Sequence, residues 1–208
     1  MIVGFVRHGR TAWNDAGRMQ GRADIPLSEA GRIQVHGWRL PASLASARMV
    51  TSPLVRAVET AILLGSRDPI PDAGLIEMDW GEWEGETLAA LRARHGEAFT
   101  RNADRGLDFR PPRGESPREM QSRVNAWLAG IAAHAEPVVA VTHKGVIRAA
   151  LTLVTGWNML GKPPVRLADD AAHLIEVDAG GAVRVLEWNL PLVIGPVSPR
   201  RAAPRPAP

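Results

Sequence analysis

The residues near the start of the chain that are best suited to chemistry are Arg7 and His8, which directly follow an apolar segment. An imidazole can act as a nucleophile or a base near neutral pH, and a guanidinium presents a planar fork of donors that matches phosphate or carboxylate. The next residue, Gly9, permits a sharp backbone turn and the close approach of a ligand. By type and spacing alone, the cluster fits an anion-binding site and a solvated loop equally well, so its meaning depends on partners elsewhere in the chain.

Three further polar clusters contain residue types that phosphoryl transfer needs. Ser52-Pro53-Leu54 leads to Arg56 near the start of a predicted helix, where the dipole and free N–H groups already favour anions. His143 follows another apolar run, and Glu77 lies in an acidic, Trp-rich segment. Two arginines, two histidines and a carboxylate in one crevice would offset the charge of a phosphoryl dianion and provide both a nucleophile and an acid.

Taken in order, the four clusters resemble the signature of the histidine phosphatase (phosphoglycerate mutase-like) superfamily, and its phosphatase branch in particular. The matching patterns are Arg-His-Gly with a following Thr and Asn, Ser-Pro-x-x-Arg-Ala-x-x-Thr, Glu-x-x-x-Gly-x-x-Glu-Gly and His-x-Gly. They begin here at Arg7, Ser52, Glu77 and His143. A chance occurrence of all four in this order is very rare, so the resemblance identifies the chain as a member of the superfamily and as a phosphoric monoester hydrolase.

The resemblance implies a role for each of the core groups. By it, His8 becomes a phosphohistidine, and Glu77 protonates the leaving alcohol and then activates the attacking water. The side chains and backbone expected to hold the substrate are those of Arg7, Asn14, Gly21, Arg56, His143 and Lys144. Of these, Arg7, Arg56 and His143 complete the catalytic set with His8 and Glu77. The resemblance implies no metal ion and no cofactor.

The physical chemistry of two of these groups agrees with the implied roles. His8 must attack as a neutral imidazole, and neighbouring arginines disfavour its cation. Glu77 must be protonated to act as an acid, which burial beside tryptophans or a bound dianion would assist.

Two positions depart from the usual pattern of the superfamily: Arg10 replaces a common Glu or Gln, and Lys144 replaces a common small residue. Both add positive charge near the site and bear on the choice of substrate.

The elements that must position these groups are short apolar strands, each of which ends at a polar cluster. Residues 1–6, 49–52 and 137–142 are predicted to be buried strands, and open α/β sheets bind ligands at the carboxyl ends of such strands. Residues 173–178 and 183–188 flank Gly180-Gly181 and are predicted to form a hairpin. We therefore expect an α/β three-layer sandwich, with a largely parallel central sheet, helices on both faces and an antiparallel edge hairpin.

The helices are predicted from N-cap signals and from the period of their apolar residues. One begins after Ser28 and is expected to reach about Ala45, and another begins at the capping box Ser116-Pro117-Arg118-Glu119 and is expected to reach about His134. The remaining helical segments are predicted at residues 54–64, 87–94, 97–105 and 146–154. A proline-rich connection at 68–74 and a short extended stretch from Leu75 complete the prediction.

The composition indicates one soluble domain. The 208 residues predict a single catalytic domain over 1–195 and a disordered Pro/Ala/Arg tail over 196–208. The net charge of +3 equals the three arginines of that tail, and the absence of a basic excess elsewhere argues against a nucleic-acid partner. The chain has no cysteine and no long apolar run. We expect a cytoplasmic protein that acts on a small-molecule phosphate ester, without a membrane partner, and homodimer formation stays open.

Three alternatives are weighed against a metal-independent phosphomonoesterase that uses a phosphohistidine. A phosphoglycerate mutase shares the same core. In the superfamily, however, its clamp uses a tyrosine and a lysine soon after the acidic residue, followed by paired arginines. This chain has no tyrosine, and its two lysines are Lys144 and Lys162, far beyond Glu77. A phosphate-binding module without turnover is disfavoured because all core groups are present. A metallohydrolase would use His8, His143, Glu77 and Asp79, which lack the usual ligand spacing.

Overall fold

The computed structural model describes residues 1–133 and 136–192. In this part of the chain, one sheet has the strand order β3-β2-β4-β1-β5-β6. The strands are β1 (Ile2–Arg7), β2 (Arg48–Thr51), β3 (Ile70–Pro71), β4 (Val138–Thr142), β5 (Ala171–Val177) and β6 (Val183–Pro191). β1 to β4 are parallel, and β5 and β6 are antiparallel to their neighbours. The predicted mostly parallel sheet with an antiparallel edge hairpin is therefore confirmed.

Helices cover both faces of this sheet. They are α1 (Ala12–Asp15), α2 (Glu29–His36), α3 (Val55–Leu63), α4 (Leu88–Ala103), α5 (Pro117–Ile131) and α6 (Lys144–Thr155). Alternate residues of β4 divide the core: Val138 and Ala140 pack with α5 and α6, whereas Val139 and Val141 pack with α2 and α3. Successive residues of a strand point to opposite faces, and helices cover both faces of this sheet, so all four side chains are fully buried. The expected α/β three-layer arrangement follows.

Helix α2 is shorter than the sequence predicted. It ends at His36 with Gly37 as its C-cap, and not near Ala45. Trp38 turns into the core, where it is 2% exposed, and Pro41 disfavours a helical conformation in the residue before it. A short 3-10 turn at Ala42–Leu44 then leads into β2. The burial of the Trp38 indole and the restriction imposed by Pro41 end the helix, although the apolar periodicity continues beyond His36.

Other boundaries differ by smaller amounts. α6 begins at Lys144, two residues before its predicted start, and α4 joins the two predicted segments across Gly96, whose φ of 49° breaks the helix. β3 lies inside the predicted proline-rich connection, and the stretch from Leu75 contains 3-10 turns and no strand. The capping box at the start of α5 is confirmed. Its predicted end at His134 and the predicted tail 196–208 lie outside the described residues, as does the domain end at 195. None of the described helices is long and apolar enough to cross a membrane.

Candidate active site

His8 lies immediately after β1, at the edge where the parallel strands end. Its backbone N–H donates to the carbonyl of Thr142 at the end of β4, at 2.9 Å. Its ring Nδ1 lies 2.7 Å from the Gly9 carbonyl, which can only accept, so Nδ1 carries the proton. Nε2 is left with its lone pair. Burial, followed by the charges of Arg7 and Arg56, lowers the pKa of His8 well below its usual value. His8 is therefore a neutral imidazole with an available nucleophilic nitrogen.

His143 follows β4 at the same edge and packs against His8, with 5.1 Å between the ring centroids. Its Nε2 lies 2.7 Å from the hydroxyl of Ser52, which follows β2. That hydroxyl accepts from the Leu54 N–H, so its own proton can go to Nε2 and leave Nδ1 protonated. Nδ1 is buried and has no partner in the described part of the chain. Burial, with the charges of His8 and Arg56 next, lowers the pKa of His143 and keeps the ring neutral.

Arg56, in the first turn of α3, is fully buried beneath the loop that follows α1. Nη1 donates to the carbonyl of Ala23 at 2.9 Å and Nη2 to that of Gly21 at 2.7 Å. Burial lowers the pKa of Arg56 to about 10, so the guanidinium remains charged at neutral pH. Gly21 thus orients Arg56, and its own N–H donates to Glu84 at 2.8 Å. The structure places Gly21 behind Arg56 and not in the cavity wall.

Arg7 ends β1 and pairs with Asp169, with 2.5 Å between Nη1 and the carboxylate. Four buried side-chain nitrogens have no hydrogen-bond partner within residues 1–133 and 136–192: Arg7 Nε, Gln20 Nε2, Arg56 Nε and His143 Nδ1. Buried polar groups are almost always paired, and each unpaired one costs about 1–3 kcal/mol. An anion accepting from this set would remove the cost, so the unpaired nitrogens indicate an anion site beside His8.

Glu77 lies in the segment after the 3-10 turn Ala73–Leu75, and the hydroxyl of Thr142 fixes that turn by donating to the Leu75 carbonyl at 2.7 Å. The carboxyl group accepts from the backbone N–H of Met78 at 2.9 Å and from that of Gly145 at 3.1 Å. Burial raises the pKa of Glu77, although these two N–H groups and the nearby arginines oppose part of the effect. Glu77 therefore retains a proton to higher pH than an exposed glutamate.

These groups border a cavity of about 420 Å³. Arg7, His8, Asn14, Glu77 and Lys144 line it, whereas Arg56 and His143 lie fully buried behind its wall. The rest of the wall is mostly apolar, with Met19, Met78, Trp80, Phe109, Met120 and Met159. Sequence reasoning assigned no role to these residues, because single Met and aromatic side chains have no pattern that separates a cavity wall from a core.

Gln20 is a further wall residue that sequence reasoning missed. Its Oε1 accepts from the Thr11 hydroxyl at 2.8 Å and from Asn14 Nδ2 at 3.2 Å. Asn14 in turn closes the capping box of α1, because its Oδ1 accepts from the Thr11 N–H. These bonds fix Gln20 so that Nε2, the unpaired donor noted above, is its remaining polar group. The only available signal was its place in the Gly- and Arg-rich loop after α1.

The two residues that depart from the superfamily pattern have different surroundings. Arg10 pairs with Asp15 at 2.5 Å and is largely exposed, so much of its charge is offset locally. Lys144 lines the cavity, and its Nζ lies 3.2 Å from Asp169. Asp169 thus contacts both Arg7 and Lys144, and their charges lower its pKa despite its partial burial. No sequence pattern pointed to Asp169, which comes from the loop before β5.

The four residues considered as metal ligands do not form a ligand cluster. Asp79 pairs with Arg22 at 3.4 Å and accepts from the Gly81 N–H at 2.8 Å. Within the described ranges, no three or more His, Asp or Glu side chains are grouped so that they could hold a metal ion. The sequence-based metallohydrolase alternative thus receives no support from the geometry at His8, His143 and Glu77.

Comparison with known proteins gives a consistent set of relatives. Residues 3–191 match the family model described as the histidine phosphatase superfamily (branch 1). A glucosyl-3-phosphoglycerate phosphatase of Mycolicibacterium vanbaalenii is 34% identical over 76% of this chain and 77% of its own length. A 2,3-bisphosphoglycerate-dependent phosphoglycerate mutase of Gloeothece citriformis is 28% identical over 84% of this chain and 93% of its own. A structure of mycobacterial glucosyl-3-phosphoglycerate phosphatase in complex with VO3 matches with a TM-score of 0.74 and 28% identity, over 91% of this chain and 98% of that one.

Proposed function

This chain belongs to the histidine phosphatase superfamily, and we propose that it hydrolyses a small phosphate monoester through a phosphohistidine formed on His8. The observation that carries the proposal is the set of unpaired buried donors beside the unprotonated Nε2 of His8. Arg7 and Gln20 line the same cavity as His8, and His143 packs against His8, so a phosphoryl group that meets the nucleophile is also close to their unpaired donors. The charges of Arg7 and Arg56 offset its negative charge without a metal ion.

In the first step Nε2 of His8 attacks the phosphorus atom. The bond between phosphorus and the ester oxygen breaks as the P–N bond forms, and the leaving oxygen takes the proton of Glu77. The raised pKa of Glu77 makes that proton available at the start of the reaction. The Gly9 carbonyl, which accepts the hydrogen bond from Nδ1–H, stabilises the positive charge that develops on the imidazole.

In the second step a water molecule attacks the phosphohistidine. Glu77, now a carboxylate, takes a proton from that water, the P–N bond breaks, and inorganic phosphate leaves. His8 returns to its neutral form, because burial and the two arginines disfavour the cation. Glu77 returns to its protonated form, so the cycle closes with no net change in the protein.

Phosphoglycerate mutase activity remains the second candidate, since a mutase is among the relatives. It uses the same first step but transfers the phosphoryl group to a second substrate oxygen in place of water. The absence of tyrosine, and of any lysine before Lys144, removes the clamp residues expected of a mutase. We therefore favour hydrolysis.

Trapping of the covalent intermediate tests the proposal. Wild-type protein is mixed with a ³²P-labelled phosphomonoester in the presence of EDTA and quenched in base. The label should be acid-labile and base-stable, and His8→Ala should carry none and show no turnover. His36→Ala, which removes an exposed histidine at the end of α2, should label like the wild type. A labelled His8→Ala variant, or activity that EDTA abolishes and Mg²⁺ or Zn²⁺ restores, would contradict the proposal.

A further inference from the structure

Arg148 is a cationic residue of the cavity wall to which the reaction proposed above assigns no role. It lies on α6 and lines the cavity, and its side chain makes no hydrogen bond or ion pair with any other described residue. The other wall cations outside the catalytic set do have contacts: Arg18 donates to the Gly85 carbonyl at 2.8 Å, and Lys144 pairs with Asp169. Among the described residues, Arg148 therefore presents an uncommitted guanidinium to the cavity.

The position of Arg148 on α6 relates it to both Glu77 and Lys144. Gly145, which donates to Glu77, lies three residues before Arg148, or roughly 4.5 Å along the helix axis. Lys144 lies four residues before it, so the two cations share one face of the helix. Both also line an adjoining cavity, which contains Arg166, Asp169 and Asp170 as well. A small substrate whose ester oxygen lies at Glu77 could therefore place a second group between Lys144 and Arg148.

The charges at this end of the cavity favour a single negative charge. Lys144 and Arg148 contribute two positive charges, and Asp169, which also pairs with Arg7, contributes one negative charge. Lys144 and Asp169 are each close to half exposed, and such pairs are worth little, so Lys144 can turn to a ligand at small cost. The remaining positive charge matches a carboxylate better than a second phosphate dianion, and the fork of Arg148 can bind a carboxylate with two parallel hydrogen bonds.

Much of the rest of the cavity wall is apolar. Trp80 and Phe109 form an edge-to-face pair with 5.8 Å between their centroids, and Met120 continues this surface. Aromatic faces accept flat or ring-shaped groups, and methionine side chains adapt to irregular ones. The volume of about 420 Å³ is in the range of sites that enclose a small organic molecule and exceeds the need of a phosphate group alone.

We propose that the substrate is a compact phosphomonoester with a carboxylate at its far end, and that Lys144 and Arg148 bind this carboxylate while Trp80 and Phe109 contact the body between the two charges. The proposal rests on the proposed function for the placement of the phosphoryl group. It adds Arg148 as a specificity-determining residue and makes Lys144, one of the two departures from the superfamily pattern, its partner.

Binding of two non-hydrolysable probes tests this without turnover. 4-(Phosphonomethyl)benzoate has both charges, and 4-(phosphonomethyl)benzamide has the same shape with a neutral end. Calorimetry at low salt should give the wild type an affinity about tenfold higher for the carboxylate, a factor that charge-assisted hydrogen bonds readily provide. The preference should shrink as NaCl is added, because screening weakens exposed charge pairs.

Variants assign the preference to the two residues. Arg148→Gln should bring the two probes to within about twofold of each other, and Lys144→Gln should weaken the preference in part. Arg101→Gln, which removes an exposed arginine of α4 paired with Glu97, is the control and should keep the full preference. Equal affinity of the wild type for the probes, no binding of either, or a full preference in Arg148→Gln overturns the proposal. A retained preference together with a failed His8 label overturns the proposed function alone.

Discussion

The backbone N–H of Gly145 donates to one carboxyl oxygen of Glu77 at 3.1 Å, and a Cβ atom at Gly145 would lie 2.1 Å from the other oxygen. Glu77 is buried and also held by the Met78 N–H, so a side chain at position 145 would have to displace its carboxyl group from these two hydrogen bonds. The glycine of the His-x-Gly pattern is thus explained by the space that the proposed acid occupies. The start of α6 contacts both the nucleophile and the acid, because its N-cap His143 packs against His8 and Gly145 in its first turn donates to Glu77.

Gly145→Ala should lower kcat by about 10²-fold or more with little loss of thermal stability. The added methyl group displaces the carboxyl group of Glu77, and general acid–base catalysis is typically worth ~10²–10⁴-fold. Alanine in a helix is otherwise favoured over glycine by roughly 1 kcal/mol, which offsets part of the strain. Gly130→Ala in α5 is the matched control, because a Cβ there has no heavy atom within 4 Å and should leave kcat unchanged. Steady-state kinetics and a melting curve on both variants decide the point, and an unchanged kcat in Gly145→Ala would show that the carboxyl position is not critical.

Glu77→Gln should reduce activity most on substrates with poor leaving groups. An alkyl alcohol needs a proton as it leaves, whereas nitrophenolate leaves without one. We expect a loss of ~10²–10⁴-fold in kcat for an alkyl phosphate and a much smaller loss for the first step with nitrophenyl phosphate. Burst-phase kinetics on the two substrates measure that step directly. Equal losses on both would point to another acid, such as Glu82 or Asp79.

The pH dependence of kcat/KM follows from the directions of the two pKa shifts. The lowered pKa of His8 keeps it neutral below the usual range of histidine, and the raised pKa of Glu77 keeps it protonated above the usual range of glutamate. Activity on an alkyl phosphate should therefore be highest in mildly acidic solution and fall as the pH rises through the pKa of Glu77. The profile of Glu77→Gln should lack that fall. Because both enzymes are assayed with the same substrate, the ionisation of the substrate affects both profiles equally. A wild-type rate that rises from pH 5 to 8 would contradict the assignment.

With 3-phosphoglycerate and a bisphosphoglycerate primer, we expect release of inorganic phosphate to exceed formation of 2-phosphoglycerate. A mutase must keep its phosphohistidine from water while the substrate reorients, which requires a closed cap. The tyrosine and the lysine of such a cap are missing, as the chain has no tyrosine and no lysine before Lys144. Both products are followed in one reaction by phosphorus NMR. Isomer formation much faster than phosphate release would establish the mutase alternative.

Much of the fold was predictable because its signals are local. Apolar runs that end at His8, Ser52 and His143 predict strands, and parallel strands end at one edge, so the sequence already implied that these residues meet. The capping box at Ser116 predicted the start of α5. The end of α2 was mispredicted because burial of Trp38, a tertiary effect, decided it.

The sequence by itself determined the family, the sheet that carries the site, and the identity of the groups suited to phosphoryl transfer, since each depends on residue types and short spacings. The tertiary structure alone decided which atoms those groups leave unpaired, that Gly21 supports Arg56 from behind, and that Asp169 links Arg7 to Lys144. It also brought Trp80, Phe109 and Arg148 to one cavity. These relationships join segments far apart in the chain and depend on the direction of each side chain, which packing sets and which no local pattern of residues encodes.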